Sequence, residues 1–270
     1  MTATTTLWQD RDFRGSSQTR NSGGHRYLGT RWHAHNDQFS SMKTWSHGTR
    51  ANAYAFEHIN YDGRFSSLNV DPGEISWWSY FGSAFNDRVS SSLIVERAPA
   101  ARESPVEVGR LVATQFRTLF DEQAAGTGLS RVGNPRTYVT FFPSYDSSRV
   151  FGTIDQMLNV DVPNWWDYSA RVRYDIRFRV LADGSVDAYA AWSHVWVEGG
   201  LISGQVFDRI APRLHGAKTA ITEAVRGFLK LLGRGRYADV YLLPGFVPDM
   251  NSFGRFGTYD EEVTLVLVRA

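Results

Sequence analysis

The sequence predicts two domains, an all-β sandwich followed by an α+β domain whose antiparallel sheet is covered by helices. Its 270 residues are too many for one small β domain and suit two domains. The first hundred residues contain an internal duplication, and helical periodicity begins only after the Ala- and Pro-containing segment 98–105. We therefore expect a β domain at 1–98, a linker at 99–105 and an α+β domain at 106–270.

The duplication consists of two polar hexads with the pattern Asn-Asp-x-x-Ser-Ser, at residues 36–41 and 86–91. Each follows a segment in which two aromatic residues stand five positions apart and a glycine comes two positions later. This segment occurs as Trp8, Phe13 and Gly15 and again as Phe56, Tyr61 and Gly63. Glycine at that position fits a hairpin that needs a positive φ, and the aromatic side chains are expected to cover the sheet.

Short runs of β-branched and aromatic residues, at 53–58, 64–70 and 92–96, are separated by Gly, Asn, Asp or Ser clusters. This pattern is typical of a β-sandwich.

The hexads carry the side chains from which a calcium site can be built. Asn, Asp and Ser supply hard oxygen ligands, of which calcium takes six to eight. Zinc is disfavoured, because the chain has no cysteine and its histidines do not recur at equivalent positions of the two repeats. The same residues are also ordinary turn formers, so one hexad alone would be a weak signal.

The paired hairpins and hexads resemble the βγ-crystallin family over residues 1 to about 98. The resemblance implies two Greek keys that face each other, with each calcium held by the loop of one key and the hairpin of the other. The ligands that it implies are Gln9, Asn36, Asp37, Ser40, Glu57, Asn86, Asp87 and Ser90. Because Gln9 has no charge where the second hairpin has Glu57, the site that uses Gln9 is expected to be the weaker one.

The charge and the hydropathy of the chain argue against two classes of protein, nucleic-acid binders and proteins with a membrane span. A formal net charge of +1 argues against a nucleic-acid binder, which normally has a strongly basic face. No apolar run reaches the length of a membrane span, so no transmembrane segment is expected. The N-terminus has no basic region followed by an apolar stretch, so we expect no secretory signal in this sequence. The compartment stays open between the cytoplasm and, with a signal removed, the outside of the cell.

The elements after residue 98 follow from periodicity and breaker residues. We expect a helix from about 105 to 122 and a glycine-containing loop at 126–135, followed by a strand at 137–142. A long hairpin is predicted with arms at 171–181 and 186–197, then a helix at 206–232 that Pro212 breaks or kinks at its start. Strands at 239–243 and 262–269 complete the domain.

Along the first arm of the hairpin, apolar residues alternate strictly with charged residues, most of which are arginines. Its apolar face consists of Val172, Tyr174, Ile176, Phe178 and Val180 and needs a cover. We expect the apolar stripe of the 206–232 helix to supply it, although a cationic amphipathic helix could also lie on a membrane. The arginine face is interpreted as solvated and paired with acids, with an anionic ligand or lipid head groups as the alternative.

Two functions fit this sequence. The first is a calcium-binding protein whose α+β domain recognises a small-molecule or lipid ligand, a partner or a membrane. The alternative is an enzyme with an aromatic-lined active site formed by His194, Asp167, Asp175 and Glu198 near Trp165, Trp166 and Trp196. No nucleophile elbow, phosphate loop or zinc-protease motif is present. An apolar cavity with convergent Asp, His or Glu would favour the enzyme, and a filled core would favour the binding protein.

Overall fold

The computed structural model describes residues 3–25, 27–28, 38–58, 64–83, 85–141, 150–163, 167–198, 200–232, 235–244, 256–258 and 263–270. This part of the chain is mostly β-strand and contains two α-helices. It divides into two compact units. The first comprises Met1–Pro105, Thr140–Val150 and Gly245–Tyr259, and the second comprises Val106–Val139, Phe151–Pro244 and Asp260–Ala270.

Two antiparallel sheets form the first unit. Its strands are β1 (Thr4–Asp10), β2 (Arg14–Asn21), β3 (Gly23–His25), β4 (Ser41–Trp45), β5 (Arg50–Phe56), β6 (Arg64–Val70), β7 (Ile75–Trp78) and β8 (Ser91–Arg97), together with β15 (Phe256–Thr258). The strand orders are β2-β1-β4-β7 and β15-β6-β5-β8-β3. The predicted strands at 53–58, 64–70 and 92–96 correspond to β5, β6 and β8.

The sheets of the first unit pack face to face on one apolar core. This core joins Leu7 and Met42 of the first sheet to Ala55 and Leu68 of the second, all 2% exposed or less. Phe39, Phe81, Phe85 and Val89, from the segments between strands, fill its centre. β1 alternates between buried and partly exposed positions, whereas β5 and β8 are buried at nearly every position.

The first aromatic hairpin has the geometry that its glycine predicts. Gly15 has a φ of +73°, and a Cβ there would lie 2.6 Å from Asp10 Oδ2, so glycine is needed both for backbone conformation and for space. The rings of Trp8 and Phe13 meet edge to face at 5.3 Å, and Lys43 Nζ lies 3.8 Å from the Phe13 ring centre. Gly63 of the second hairpin lies outside the described residues.

The second unit is built on a four-stranded sheet with order β10-β11-β12-β13 and a three-stranded sheet with order β14-β16-β9. Its elements are β9 (Glu103–Glu107), α1 (Gly109–Ala124), β10 (Leu129–Phe141), β11 (Val150–Val160), β12 (Tyr168–Val180), β13 (Val186–Val197), α2 (Ser203–Leu231), β14 (Tyr237–Pro244) and β16 (Val263–Arg269). The first residues of β9, including Glu103, the last of β10 and the first of β11 belong to the first unit. The predicted hairpin is formed by β12 and β13, and the last two predicted strands are β14 and β16.

The segment expected to be a linker is structured. Ala100–Arg102 forms a single 3-10 turn, and the next residue, Glu103, begins β9. The Glu103 carboxylate is buried and forms ion pairs with Arg97 and with Arg50. The first helix therefore begins at Gly109 and not near Pro105, because β9 occupies the intervening residues.

Two further differences concern strands of the four-stranded sheet. β10 begins at Leu129 and runs through Gly133-Asn134-Pro135, where a loop was expected; it is an edge strand, the position in a sheet that tolerates proline. β11 was not predicted at all. Its residues Asp155 and Gln156 are both buried, so the strand lacks the polar and apolar alternation that would identify it.

The long helix α2 packs on the β12–β13 hairpin. Tyr174 Oη donates to the Leu214 carbonyl at 2.7 Å, and the Ala190 N–H donates to Thr222 Oγ1 at 2.8 Å. Val172, Tyr174, Ile176 and Phe178 are buried. The cover of this face is shared between the helices, because Tyr174 also meets Phe116 of α1 and Ile176 and Phe178 line a cleft with Val112 of α1. Pro212 lies inside the continuous helix and does not break it. No helix in the described ranges is long and apolar enough to cross a membrane.

Candidate metal centre

The two hexads meet at the centre of the first unit. Phe39 and Val89, equivalent residues of the two hexads, form an isolated antiparallel bridge and are both fully buried. The described residues of the two loops are therefore held side by side at this bridge. The sequence duplication corresponds to a spatial pairing of the two repeats.

Each loop is tied to its own hairpin by the same two contacts. The N–H groups of Ser40 and Ser90 donate to the carbonyls of Trp8 and Phe56, both at 2.9 Å. The last serine of each hexad also makes the same contact in both repeats. Ser41 Oγ donates to the Asp10 carbonyl at 2.7 Å, and Ser91 Oγ donates to the His58 carbonyl at 2.6 Å. These contacts explain why both repeats need a serine at the last position of the hexad.

One contact joins oxygen atoms of the two keys. Ser40 Oγ of the first hexad donates to Asp87 Oδ1 of the second hexad at 2.8 Å. Asn86 Nδ2 donates to the other carboxylate oxygen of Asp87 at 2.6 Å. Asp87 has a φ of 55°, a left-handed conformation that Asp and Asn adopt more readily than most residues. Three of the predicted ligand residues, Ser40, Asn86 and Asp87, are thus in one place.

The equivalent place in the other half is described only in part. Ser90 Oγ donates to the Glu57 carbonyl at 2.8 Å, so this serine and this hairpin carbonyl are adjacent. Asn36 and Asp37, the sequence equivalents of Asn86 and Asp87, lie outside the described residues. The structure therefore brings Ser90 and Glu57 together and leaves the position of the two remaining predicted ligands unstated.

The carboxylate of Glu57 is engaged by two arginines. Arg64 donates to both of its oxygens, with Nε–Oε2 and Nη2–Oε1 distances of 2.9 Å, and Arg88 Nη1 donates to Oε1 at 2.9 Å. The hydrogen bond from Arg64, together with Arg88, lowers the pKa of Glu57 to about 2 against the opposing effect of burial. The side chain that distinguishes the two hairpins is thus ionised and already paired with cations.

Gln9 has a different partner at the equivalent position. Its Nε2 donates to Gln38 Oε1 at 2.7 Å, and its own Oε1 accepts from the Ser16 N–H at 3.4 Å. Gln38 and Arg88 are both the third residue of their hexad. Sequence reasoning did not single out Arg88 as a partner of Glu57, because Arg88 stands at a variable position of the hexad.

The described side-chain atoms between the two keys that could bind a metal ion are all oxygens. No group of three or more His, Cys, Asp or Glu side chains comes together in the described ranges. The candidate centre instead combines the carboxylate of Asp87 with the hydroxyl of Ser40 and the side-chain amide of Asn86. A set of oxygen ligands of which most are uncharged fits calcium better than zinc, because zinc prefers nitrogen and sulfur ligands.

The residues expected to form an enzyme pocket lie mostly on an open sheet face. His194 Nε2 is 3.9 Å from Asp175 Oδ2, and the rings of His194 and Trp196 stack at 5.6 Å. Asp167 instead accepts from Asn159 Nδ2 at 2.9 Å in an exposed position, and Glu198 is exposed. Trp165 and Trp166 lie outside the described residues.

The arginine face of β12 is paired with acids, as expected. Arg171 binds Asp155 through two hydrogen bonds, and Arg173 Nε donates to Asp175 Oδ1 at 2.9 Å. On the same face, Arg179 Nη2 donates to Asp187 Oδ2 at 2.8 Å. The acids Asp155, Asp175 and Asp187 are buried beneath these arginines.

Two apolar clefts lie on the helical side of the second unit. One, between α1 and α2, is lined by residues that include Phe116, Phe120, Leu214 and Ile221, with Arg213 among them. The other lies between α1, the sheet and β14. None of the described residues that line either cleft is an Asp, His or Glu, so neither cleft has the convergent groups that would favour an enzyme.

Comparison with known proteins relates about a third of the chain to one family. No family model matches the chain, and no curated protein matches it. A βγ-crystallin from an archaeon is 25% identical, with a TM-score of 0.27 over 35% of this chain and 100% of that one. A βγ-crystallin from Ciona intestinalis is 21% identical, with a TM-score of 0.24 over 33% of this chain and 96% of that one. A βγ-crystallin domain from Clostridium beijerinckii is 16% identical, with a TM-score of 0.22 over 33% of this chain and 94% of that one. This is the resemblance that the sequence predicted.

Proposed function

We propose that this protein binds calcium in a Greek-key module and recognises a ligand through an α+β domain with an antiparallel sheet covered by helices. The contact between Ser40 and Asp87 is the observation that carries the calcium proposal. It joins oxygen donors from the two different keys at 2.8 Å, and a cation between the keys would replace that hydrogen bond with direct coordination. Calcium would then stabilise the module by linking its two halves.

The ligands divide into two sets related by the duplication. Asp87, Ser40 and Asn86 would hold one calcium with the Gln9 region of the first hairpin. The second set consists of Asp37, Ser90 and Asn36 with Glu57 of the second hairpin. Because the Glu57 carboxylate is held by Arg64 and Arg88, we expect its backbone carbonyl, next to Ser90, to contribute more directly than its side chain.

The proposal is tested by calorimetry on the full chain with calcium and with magnesium at equal concentrations. Calcium should raise Tm, because a ligand of the native state stabilises it by mass action. Magnesium should raise it less, since it gives up water reluctantly in a flexible oxygen site. Equal shifts with both ions, or no shift, would contradict the calcium proposal.

A variant series locates the effect. Asp87→Asn removes the charge of the candidate ligand, and Ser40→Ala removes the hydroxyl that contacts it. Asp208→Asn is the matched control, because it removes the same charge from an exposed position on α2. We expect the first two variants to reduce the calcium-dependent shift and the control to retain it.

The recognition role of the α+β domain rests on its open sheet face. Trp192 and Trp196 are 46% and 45% exposed and flank His194 on β13. Large aromatic side chains that remain exposed together mark an interaction surface more often than scattered apolar residues do. The face also carries the paired arginines and acids, which supply hydrogen-bonding groups beside the rings.

A further inference from the structure

The open face of β13 carries a row of three aromatic rings. Trp192, His194 and Trp196 alternate with residues that face the helix, since Ser193 Oγ lies 2.6 Å from Nδ1 of His215 on α2. The row extends over about 13 Å, four residues of a strand. The Trp192 and Trp196 side chains are nearly half exposed, so a large part of each ring surface is open to a ligand.

Fixed polar groups lie next to this row on the neighbouring strand. Arg171 is the register partner of Trp196, and Arg173 is the partner of His194. The Arg171 guanidinium also lies 5.8 Å from the centre of the Trp196 ring. The aromatic row and the arginine row therefore form one continuous surface.

Buried carboxylates hold these arginines in place. Asp155 accepts from Arg171 Nε at 2.7 Å, and Asp175 accepts from Arg173 and from Thr153 Oγ1, both at 2.9 Å. The two aspartates are 3% and 2% exposed, whereas the Arg171 side chain is 43% exposed. Because the guanidinium groups are fixed before any ligand arrives, little side-chain entropy would be lost on binding.

The charge of this face indicates what kind of ligand it suits. Three carboxylates, Asp155, Asp175 and Asp187, offset three of the four arginines on β12. A polyanion such as a nucleic acid binds mainly through an excess of positive charge, and this face has little excess. A ligand with an apolar face and many hydroxyl groups matches exposed indole rings beside paired donors and acceptors.

We propose that the open face of β12 and β13 binds a neutral oligosaccharide. The C–H face of a sugar ring would pack on Trp192 or Trp196, and its hydroxyls would hydrogen-bond to the Arg171 and Arg173 side of the surface. The length of the row favours an oligosaccharide over a monosaccharide. This inference rests on the recognition role proposed for the α+β domain and is independent of the calcium sites.

The test is binding of the full chain to an array of neutral and acidic oligosaccharides, followed by titration of tryptophan fluorescence with the best neutral glycan. We expect neutral glycans to bind and the affinity to fall at least tenfold in Trp192→Ala or Trp196→Ala. Trp77→Ala is the matched control, because Trp77 is 58% exposed on β7 of the other unit. It should bind as the unchanged protein does, and circular dichroism melting should confirm that all three variants are folded.

Three other outcomes would overturn the inference. If neutral glycans bind equally well to the Trp192 and Trp196 variants, the site is elsewhere. If the protein binds oligothymidylate or anionic vesicles through these tryptophans and no neutral glycan, the ligand class is wrong while the recognition role stands. If none of these probes binds, both the inference and the recognition role fail, and a calcium titration of the same sample still reports separately on the first unit.

Discussion

Glu57 and Arg88 form in the second Greek key the contact that Gln9 and Gln38 form in the first. Both pairs join the residue after the first aromatic of the hairpin to the third residue of the hexad, at 2.9 Å and 2.7 Å. One pair is ionic and the other is neutral. The extra carboxylate of the second hairpin is therefore accompanied by an extra guanidinium, and the two keys differ less in net charge than their hairpins alone indicate.

Arg88→Gln should strengthen calcium binding. The change removes a cation next to the candidate ligand Asp87 and releases one partner of the Glu57 carboxylate. A unit charge near a divalent ion contributes about 1 kcal/mol even in a water-like dielectric, so we expect the affinity to rise several-fold in calorimetric titrations at low salt. Arg209→Gln, which removes the same charge from exposed α2, is the control. An unchanged affinity in Arg88→Gln would show that the loop charge does not act on the ion.

Gln9→Glu tests the site that combines Asp87 and Ser40 with the first hairpin. A carboxylate at this position supplies charge where the amide supplies none, so the affinity of the weaker site should increase. Gln205→Glu on α2 adds the same charge away from the hexads. Calorimetry that found equal sites in the unchanged protein and no response to Gln9→Glu would remove Gln9 from the ligand set.

The Greek-key module was predictable because its motifs are repeated. The serine contacts Ser41–Asp10 and Ser91–His58 join residues of a hairpin and a hexad that are both visible in the sequence. The pairing of Arg88 with Glu57 was not predictable, because Arg88 stands at a variable position of the hexad that no motif marks.

In the second unit, the hairpin and α2 were predictable because their apolar residues follow regular periods. β11 was missed because Asp155 is buried at a position that a periodic reading assigns to solvent. Its burial depends on Arg171 of the next strand, and such cross-strand pairing cannot be read from either strand alone. The aromatic row of β13 was visible as composition, but only the sheet shows that it lies opposite the helix-covered face.

The ion pairs of Glu57 predict a dependence of stability on pH. Its pKa is lowered from 4.5 to about 2 in the folded protein, so the folded state favours the ionised carboxylate. The resulting stabilisation is present above pH 4.5 and is lost as the pH falls from about 4.5 to 2. Glu57→Gln should therefore flatten the decline of Tm in this acidic range. A decline as steep as that of the unchanged protein would assign the effect to other carboxylates.

Phe228→Ala tests the packing of α2 on the hairpin sheet. Phe228 is 7% exposed, and emptying a buried aromatic site costs about 3–5 kcal/mol. Denaturant unfolding of the full chain should show this loss. Retained stability combined with lost binding to anionic vesicles would instead make the helix a membrane element.

Arg226 and Lys230 provide a matched pair on the polar side of the same helix. Arg226 Nε donates to Asp187 Oδ1 at 2.7 Å. Burial alone would raise the pKa of Asp187, but the hydrogen bonds from Arg226 and Arg179 lower it more, so the carboxylate stays ionised. Lys230 is exposed, so Lys230→Gln should change the free energy of unfolding by less than about 0.5 kcal/mol. Arg226→Gln should destabilise more, because it removes one of two cations from Asp187, and Asp187→Asn in the same background should recover part of the loss. Equal effects of the two glutamine substitutions in denaturant unfolding would show that Arg179 alone satisfies Asp187.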